Sequence, residues 1–566
     1  MSDHLLSVEN LAVEFHTAAG TVKAVNGISY HLNAGESLAI LGESGSGKSV
    51  SASTIMNLID SPPGYITGGK VLYRGEDLFA MSAEQRRQIN GQKIAMIFQD
   101  TLAHLNPVYS VGWQISETFR AHDDGASTAR QKAVDLLSQV GIPDAERRVD
   151  DYPHQFSGGQ RQRVMIAMAL AFRPDILIAD EPTTALDVTV QADILRLLKD
   201  LQNETGMGLI LITHDLGVVA EIADRVAVMN SGKIVETGSA HQIFHEPKHP
   251  YTKHLISSLP GGARRAPAVT LGSANGSDSL PAGLLSVKNL AKHYEITKGL
   301  MRKATGEVVR AVDGVSFELN PGETLGVVGE SGSGKSTLAR TLLRLEEPTS
   351  GEASYRGKDI FTLSATDLLA LRRKVQVVFQ DPYASLNPRM TVAKIIAESW
   401  AIHPDTLPKR DWSARIAELL EQVGLHADHA RRYPHQFSGG QRQRIAIARA
   451  LALQPEIIIC DEAVSALDVS IQAQVIELLG DLRDRFELSY LFIAHDLPVV
   501  RHFADRILVM HRGKIVEQGS TDQIFERPEH AYTKALLAAS PIADPDQRAQ
   551  ASSSQTGGEV PRGPAG

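Results

Sequence analysis

The octapeptide GESGSGKS stands at residues 42–49 and again, letter for letter, at residues 329–336. HQFSGGQRQR likewise occurs at 154–163 and 435–444, the ALDV segments begin at Ala185 and Ala466, and the HDL segments begin at His214 and His495. The same motifs recur in the same order, with one small change in spacing. This predicts a duplicated domain and limits the chain to two copies of one architecture. A length of 566 residues agrees, being too long for one ordinary core.

Between the copies, residues 261–283 read GGARRAPAVTLGSANGSDSLPAG, and such a run of small and polar residues cannot bury enough apolar surface to order itself. The predicted organisation is therefore a first domain over 1–260, a flexible linker over 261–283, a second domain over 284–541 and a disordered tail over 542–566.

Composition narrows the partners. Lys and Arg number 57 against 66 Asp and Glu, a net charge of -9, which argues against a nucleic-acid binder. Cys460 is the single cysteine, so an intramolecular disulfide and any metal cluster held by several thiolates are excluded. It follows Ile457, Ile458 and Ile459 and reads as a buried small hydrophobe. No apolar run approaches the roughly 20 residues needed to cross a bilayer, and no basic stretch with an apolar core opens the chain. The expectation is a cytoplasmic protein whose membrane part, if it has one, comes from other chains.

Within each copy the pattern is mixed α/β. Leu38–Ala39–Ile40–Leu41 and Leu325–Gly326–Val327–Val328 precede the Gly-rich loops as short apolar runs, the pattern of strands buried on both faces. Residues 176–179 and 457–460 read the same way. Ala133, Leu136, Leu137 and Val140 share one helical face, as do Ile416, Leu419, Leu420 and Val423, which predicts a separate helical lobe in each copy.

GxxxxGK[ST] between a strand and a helix is a phosphate-binding loop. Its glycines let successive backbone N–H groups turn inward at a helix N-terminus, where they and the helix dipole hold an anion. Gly42, Ser44, Gly45 and Gly47 form the first cradle, and Gly329, Ser331, Gly332 and Gly334 the second. Lys48 and Lys335 add a point charge at the β and γ phosphates, and Ser49 and Ser336 a hydroxyl toward Mg²⁺. Each copy also has an apolar strand ending in Asp and then Glu: Asp180–Glu181 and Asp461–Glu462. The first carboxylate of each pair suits Mg²⁺, and the second suits polarising an attacking water.

The segments between these motifs resemble the ATP-binding cassette family. Ser157, Gly158, Gly159 and Gln160, and again Ser438, Gly439, Gly440 and Gln441, resemble its signature motif. Gln99 and Gln380 resemble its Q-loop glutamine, a further contact to Mg²⁺ and ATP. Asp187 and Asp468 resemble its D-loop aspartate, and His214 and His495 its switch histidine. Phe15 and Tyr294 stand where the family places an aromatic that stacks on adenine. The resemblance covers nearly the whole chain outside the linker and tail. It implies two tandem P-loop NTPase domains, each with a RecA-like core and a helical lobe, that bind ATP with Mg²⁺. It also implies a pseudo-dimer within one chain, with ATP held between the P-loop of one copy and the signature of the other. Site one then joins Lys48, Ser49, Gln99, Asp180, Glu181 and His214 to residues 438–441. Site two joins Lys335, Ser336, Gln380, Asp461, Glu462 and His495 to residues 157–160. Glu181, His214, Glu462 and His495 carry the catalytic roles, so two hydrolytic sites are expected. Copy two departs from the pattern at Ala463, where copy one has Pro182, and this predicts a looser turn after Glu462.

Two cues resemble one branch, the importers of oligopeptides, dipeptides and nickel. Asn106–Pro107 and Asn387–Pro388 follow the Q-loops and look like that branch's stretch facing the membrane subunits. HEPKHPYTKHLISSLP at 245–260 and ERPEHAYTKALLAASP at 526–541 resemble its C-terminal segment. The resemblance implies an ATPase on the cytoplasmic face of the membrane, attached through two transmembrane permease subunits. It implies indirect work with an extracytoplasmic solute-binding protein and a cargo of short peptides or glutathione-like molecules. The competing expectation is a soluble tandem cassette acting on ribosomes, although that type usually has a long charged helical linker.

Overall fold

The computed structural model describes residues 4–17, 20–99, 104–122, 128–184, 186–259, 283–298, 303–465 and 467–546. Most of the predicted linker and the tail from 547 onward lie outside these residues, as do Ala185 and Ala466. The chain divides into two compact units, residues 1–259 with 541–566, and residues 260–540.

In the first unit, the strands Ser37–Leu41, Ile94–Ile97, Ile176–Asp180, Gly208–Thr213 and Arg225–Asn230 form a parallel sheet, and Lys233–Ser239 closes one edge antiparallel. The side chains alternate between two cores. Leu38, Ile40, Ile176, Ile178, Ile210 and Ile212 face one core, and Leu177, Ala179, Leu209 and Leu211 face the other. Both faces are buried, so these strands are continuously apolar in sequence instead of alternating with polar residues.

The first core is closed by a smaller antiparallel sheet built on Leu6–Thr17, Gly20–Leu32 and Gly64–Tyr73. The second is closed partly by the predicted helical lobe, whose helices include Val111–Arg120, Ala129–Gln139 and Gly158–Ala169. Ala133, Leu137 and Val140 are buried there and Leu136 packs at its margin, the face expected from their spacing.

The second unit repeats this plan. Thr324–Val328, Val375–Val378, Ile457–Asp461, Ser489–Ile493 and Arg506–His511 are the parallel strands, and Lys514–Ser520 is the antiparallel edge. Cys460 is fully buried in the core on the helical-lobe side, where burial pushes its thiol pKa well up. Among the described residues no helix is long and apolar enough to cross a membrane.

Candidate functional site

In each unit the chemistry-bearing residues collect at the C-terminal ends of adjacent parallel strands, where ligands bind in open α/β sheets. The order across the first sheet is Arg225–Asn230, Ser37–Leu41, Gly208–Thr213, Ile176–Asp180 and Ile94–Ile97. The Gly-rich loop leaves Leu41, His214 follows Thr213, Asp180 and Glu181 end the next strand, and Gln99 follows Ile97. Residues far apart in sequence thus meet along one edge.

The loop is closed tightly. Gly47 has φ of 100° and caps the helix Lys48–Ile55, and a Cβ there would lie 2.2 Å from the Ala24 carbonyl oxygen. Gly334 repeats this with φ of 104° before the helix Lys335–Leu342, and its Cβ would lie 1.9 Å from the Ala311 oxygen. Only glycine fits both the backbone angle and the space. Lys48 is buried and its Nζ donates to the carbonyls of Gly42 (2.7 Å) and Glu43 (3.0 Å), as Lys335 does to Gly329 (2.7 Å) and Glu330 (2.9 Å). Ser44, Gly45, Ser331 and Gly332 lie in the same two loops.

Ser49 Oγ donates to Asp180 Oδ1 at 3.0 Å, and Ser336 Oγ to Asp461 Oδ1 at 2.9 Å. Burial pushes Asp180 up to about 6; the Ser49 hydrogen bond opposes this and the neighbouring Glu181 charge adds to it. Asp461 is raised for the same leading reason. A hydroxyl beside a carboxylate is an all-oxygen donor set of the kind Mg²⁺ takes. The buried hydroxyls of Ser46 and Ser333 have no partner among the described residues, although each sits inside its loop. Cradle, oxygen pair and orphaned hydroxyl together fit a magnesium–nucleotide polyphosphate.

Glu181 is 8% exposed and sits in the left-handed region at φ of 47°. Its N–H donates to the Ile212 carbonyl at 2.8 Å, which ties the turn to the next strand. Three groups meet its carboxylate: Gln99 Nε2 at 2.7 Å, the Thr184 hydroxyl at 2.9 Å and His214 Nδ1 at 3.0 Å. Burial alone would raise its pKa. The His214 hydrogen bond and charge, with Thr184 and Lys48, outweigh burial and hold it below the ordinary carboxylate value. An ionised, oriented carboxylate beside a polyphosphate cradle is equipped to take a proton from water.

Glu462 has the same backbone, with φ of 49° and its N–H on the Ile493 carbonyl at 2.9 Å. Ala463 in place of Pro182 therefore leaves the turn unchanged. The side-chain surroundings differ. Gln380 Nε2 keeps its 2.7 Å contact, but His495 Nδ1 stands at 3.5 Å, and the Ser465 hydroxyl donates to the Glu462 carbonyl oxygen instead of the carboxylate. The His495 hydrogen bond, opposed by burial, still lowers Glu462, and in turn raises His495.

Ser157 caps the helix Gly158–Ala169 by accepting from the Gln160 N–H, while Gln160 Oε1 accepts from the Ser157 N–H. Ser438 and Gln441 repeat this box before Gly439–Leu451. Each signature thus opens a helix of three turns with its N-terminal N–H groups aligned, a second anion-binding end. Phe15 is half-buried on the strand Leu6–Thr17. Tyr294 is exposed on Leu285–Lys298, with Lys292 Nζ 4.9 Å over its ring and its hydroxyl bonded to Glu346.

Some functional residues escape sequence reasoning. Thr184 and Ser465 differ between copies, but only coordinates reveal which oxygen each hydroxyl reaches. Tyr251, in the C-terminal helix Pro250–Ser257, accepts the Glu43 N–H of the Gly-rich loop at 3.3 Å, and Tyr532 accepts that of Glu330 at 3.1 Å. The Tyr-Thr-Lys segments are thus physically joined to the phosphate loops.

Comparison with known proteins finds relatives of both units. The family described as "ABC transporter" matches residues 25–184 and 312–465. That described as "Oligopeptide/dipeptide transporter, C-terminal region" matches residues 235–279 and 516–565, which contain both tyrosines. The glutathione import ATP-binding protein GsiA of Shigella dysenteriae serotype 1 is 51% identical over 569 residues, covering 96% of this chain and 91% of that protein. GsiA of Escherichia coli (strain K12) gives the same figures. A solved dimeric bacterial ABC transporter cassette aligns with 42% of this chain and 98% of its own at 30% identity, with a TM-score of 0.38.

Proposed function

This chain belongs to the ABC transporter ATPases, as the subunit that couples ATP hydrolysis to peptide import, and from that premise we propose that it powers uptake of short peptides of the glutathione class. The observation that carries the reading is the pairing, in both units, of an ionised glutamate at a strand end with a phosphate loop bonded to the C-terminal segment.

The chemistry follows from the chain's own groups. The N–H groups of the Gly-rich loop and the Lys48 or Lys335 ammonium hold the β and γ phosphates. Ser49 with Asp180, and Ser336 with Asp461, would hold Mg²⁺, which when bound would supply positive charge against the phosphate oxygens. Glu181 and Glu462 take the proton of the attacking water. Gln99 or Gln380 and His214 or His495 fix each carboxylate and keep it charged before the reaction. Phe15 and Tyr294 supply ring faces for adenine, and the signature helices supply further N–H groups to phosphate.

We place the two cassettes at 1–260 and 284–541 with a linker between. The chain works peripherally at the cytoplasmic face of the membrane, held by two permease subunits and served by an extracytoplasmic solute-binding protein. A ribosome-acting tandem cassette finds no support, since the relatives are import ATP-binding proteins. Gentle isolation of the native protein from solubilised cells, followed by mass spectrometry, tests the partners. Two polytopic subunits support the reading, and ribosomes without membrane subunits overturn it.

A further inference from the structure

His241 and His245 stand four residues apart on the short helix Ala240–His245, so both rings lie on one face of it. That spacing lets two imidazoles share one metal ion. Residues 541–546 belong to the same compact unit and bring Asp546 to that face. Asp546 Oδ1 is 3.8 Å from His241 Nε2, and its Oδ2 is 3.4 Å from His245 Nε2. One donor atom from each of the three residues falls within 4.8 Å of the others, and all three side chains are open to solvent. Asp544 Oδ1 lies 3.7 Å from His245 Nε2 and accepts the Asp546 N–H at 3.0 Å, which fixes the turn that presents Asp546.

These separations are too long for hydrogen bonds, which N–H···O pairs form at about 2.7–3.2 Å. They lie close to the edges of a coordination tetrahedron instead, since donors bound to one zinc ion at about 2.0–2.2 Å stand about 3.3–3.6 Å apart. Imidazole and carboxylate are donor types that Zn²⁺ accepts, and the charges of Asp544 and Asp546 offset that of the ion. The set uses no thiolate, so the single cysteine has no bearing on it.

A second observation concerns how the chain end is seated. A Cβ on Gly217 would lie 2.7 Å from Pro541 Cβ, so Pro541 rests where only glycine leaves room, three residues after His214. The second copy repeats none of these features. Counted from His214 and His495, Gly217 corresponds to Pro498. Counted from Ser239 and Ser520, the two histidines correspond to Asp522 and Glu526. Counted from Tyr251 and Tyr532, Asp544 and Asp546 correspond to Ala263 and Arg265. Glycine seat, histidine pair and acidic chain end thus occur together.

We propose that His241, His245 and Asp546 bind one Zn²⁺, with water in the fourth position, and that the ion anchors the chain end on the first cassette beside the segment carrying His214. The test titrates zinc chloride into the full chain, free of nucleotide and Mg²⁺, by isothermal calorimetry. Co²⁺ serves as a second probe, because a four-coordinate site colours it. The parent should take up a single Zn²⁺ that His241→Ala, His245→Ala and Asp546→Asn each bind roughly a hundredfold more weakly, the upper end of what losing a supporting group costs. Excess Zn²⁺ should raise the melting temperature of the parent by several degrees and leave that of the variants unmoved. The three side chains are exposed, so the variants should keep the circular dichroism of the parent. Equal zinc affinity in the parent and all three variants overturns the proposal. Weak binding by the histidine variants with Asp546→Asn unchanged also overturns it, because the helix then holds the ion without the chain end. Zinc uptake with no rise in the parent's melting temperature overturns the anchoring role.

Discussion

Thr184→Val in a Glu462→Gln background isolates the feature that distinguishes the two catalytic centres. With Glu462 neutralised, the remaining hydrolysis comes from Glu181, whose carboxylate is met by Gln99, Thr184 and His214 at 2.7, 2.9 and 3.0 Å. Valine keeps the shape of threonine and removes only the hydroxyl. Hydrogen bonds to charged groups contribute about 1.5–3 kcal/mol, and Thr184 lies at the exposed end of the site, so the low end applies. About 1.4 kcal/mol is a factor of about ten in rate, so kcat should fall roughly tenfold with little change in KM for ATP. Steady-state phosphate release measures both. The reciprocal change, Ser465→Thr in a Glu181→Gln background, should raise the weaker centre, because the added methyl favours turning the hydroxyl toward the Glu462 carboxylate. A Thr184→Val rate within about twofold of its background would refute the claim that this hydroxyl sets the difference.

Three further outcomes are expected. Asp180 has an ordinary pKa of 3.8 and stands at about 6 when folded, so the folded chain holds this proton more tightly than the unfolded chain. Its ionisation therefore destabilises the first unit above about pH 6, and the effect fades as pH falls through 6 toward 3.8. Asp180→Asn should stabilise by about 3 kcal/mol at pH 7, from roughly 1.36 kcal/mol per pKa unit, while abolishing hydrolysis at that centre; denaturant titration at pH 7 and pH 4 checks both sign and window. Tyr251→Phe removes the acceptor for the Glu43 N–H and should raise KM for ATP a fewfold with the fold intact, readable by nucleotide binding and circular dichroism. Cys460, fully buried, should resist thiol reagents until the second unit unfolds, and rapid labelling of the native protein would contradict the assigned core position.

Much of this architecture is legible in the chain because the physics is local. ILIA and IIIC are apolar at every position since both faces of those strands are covered, and a run of that kind followed by Asp–Glu locates the sheet's reactive edge. GESGSGKS likewise fixes a loop that only glycine can close at residues 47 and 334. The duplication doubles each signal. Side-chain direction is not written in the same way. Thr184 and Ser465 each carry a hydroxyl three residues after the glutamate, and one reaches the carboxylate while the other reaches a backbone carbonyl. The sequence makes Ala463 look consequential through its missing proline, yet the turn is held by the N–H of Glu462 on Ile493 and keeps its form. Tyr251 and Tyr532 stand some two hundred residues from the loops they touch, a distance that no local pattern spans.

The most direct test is uptake of radiolabelled glutathione by cells that make the permease and binding protein and carry either the parent chain or the double variant Glu181→Gln, Glu462→Gln. The account predicts ATP-dependent accumulation with the parent and background uptake with the double variant, although both chains assemble with the membrane subunits. Accumulation at the parental rate with both glutamates replaced would contradict it.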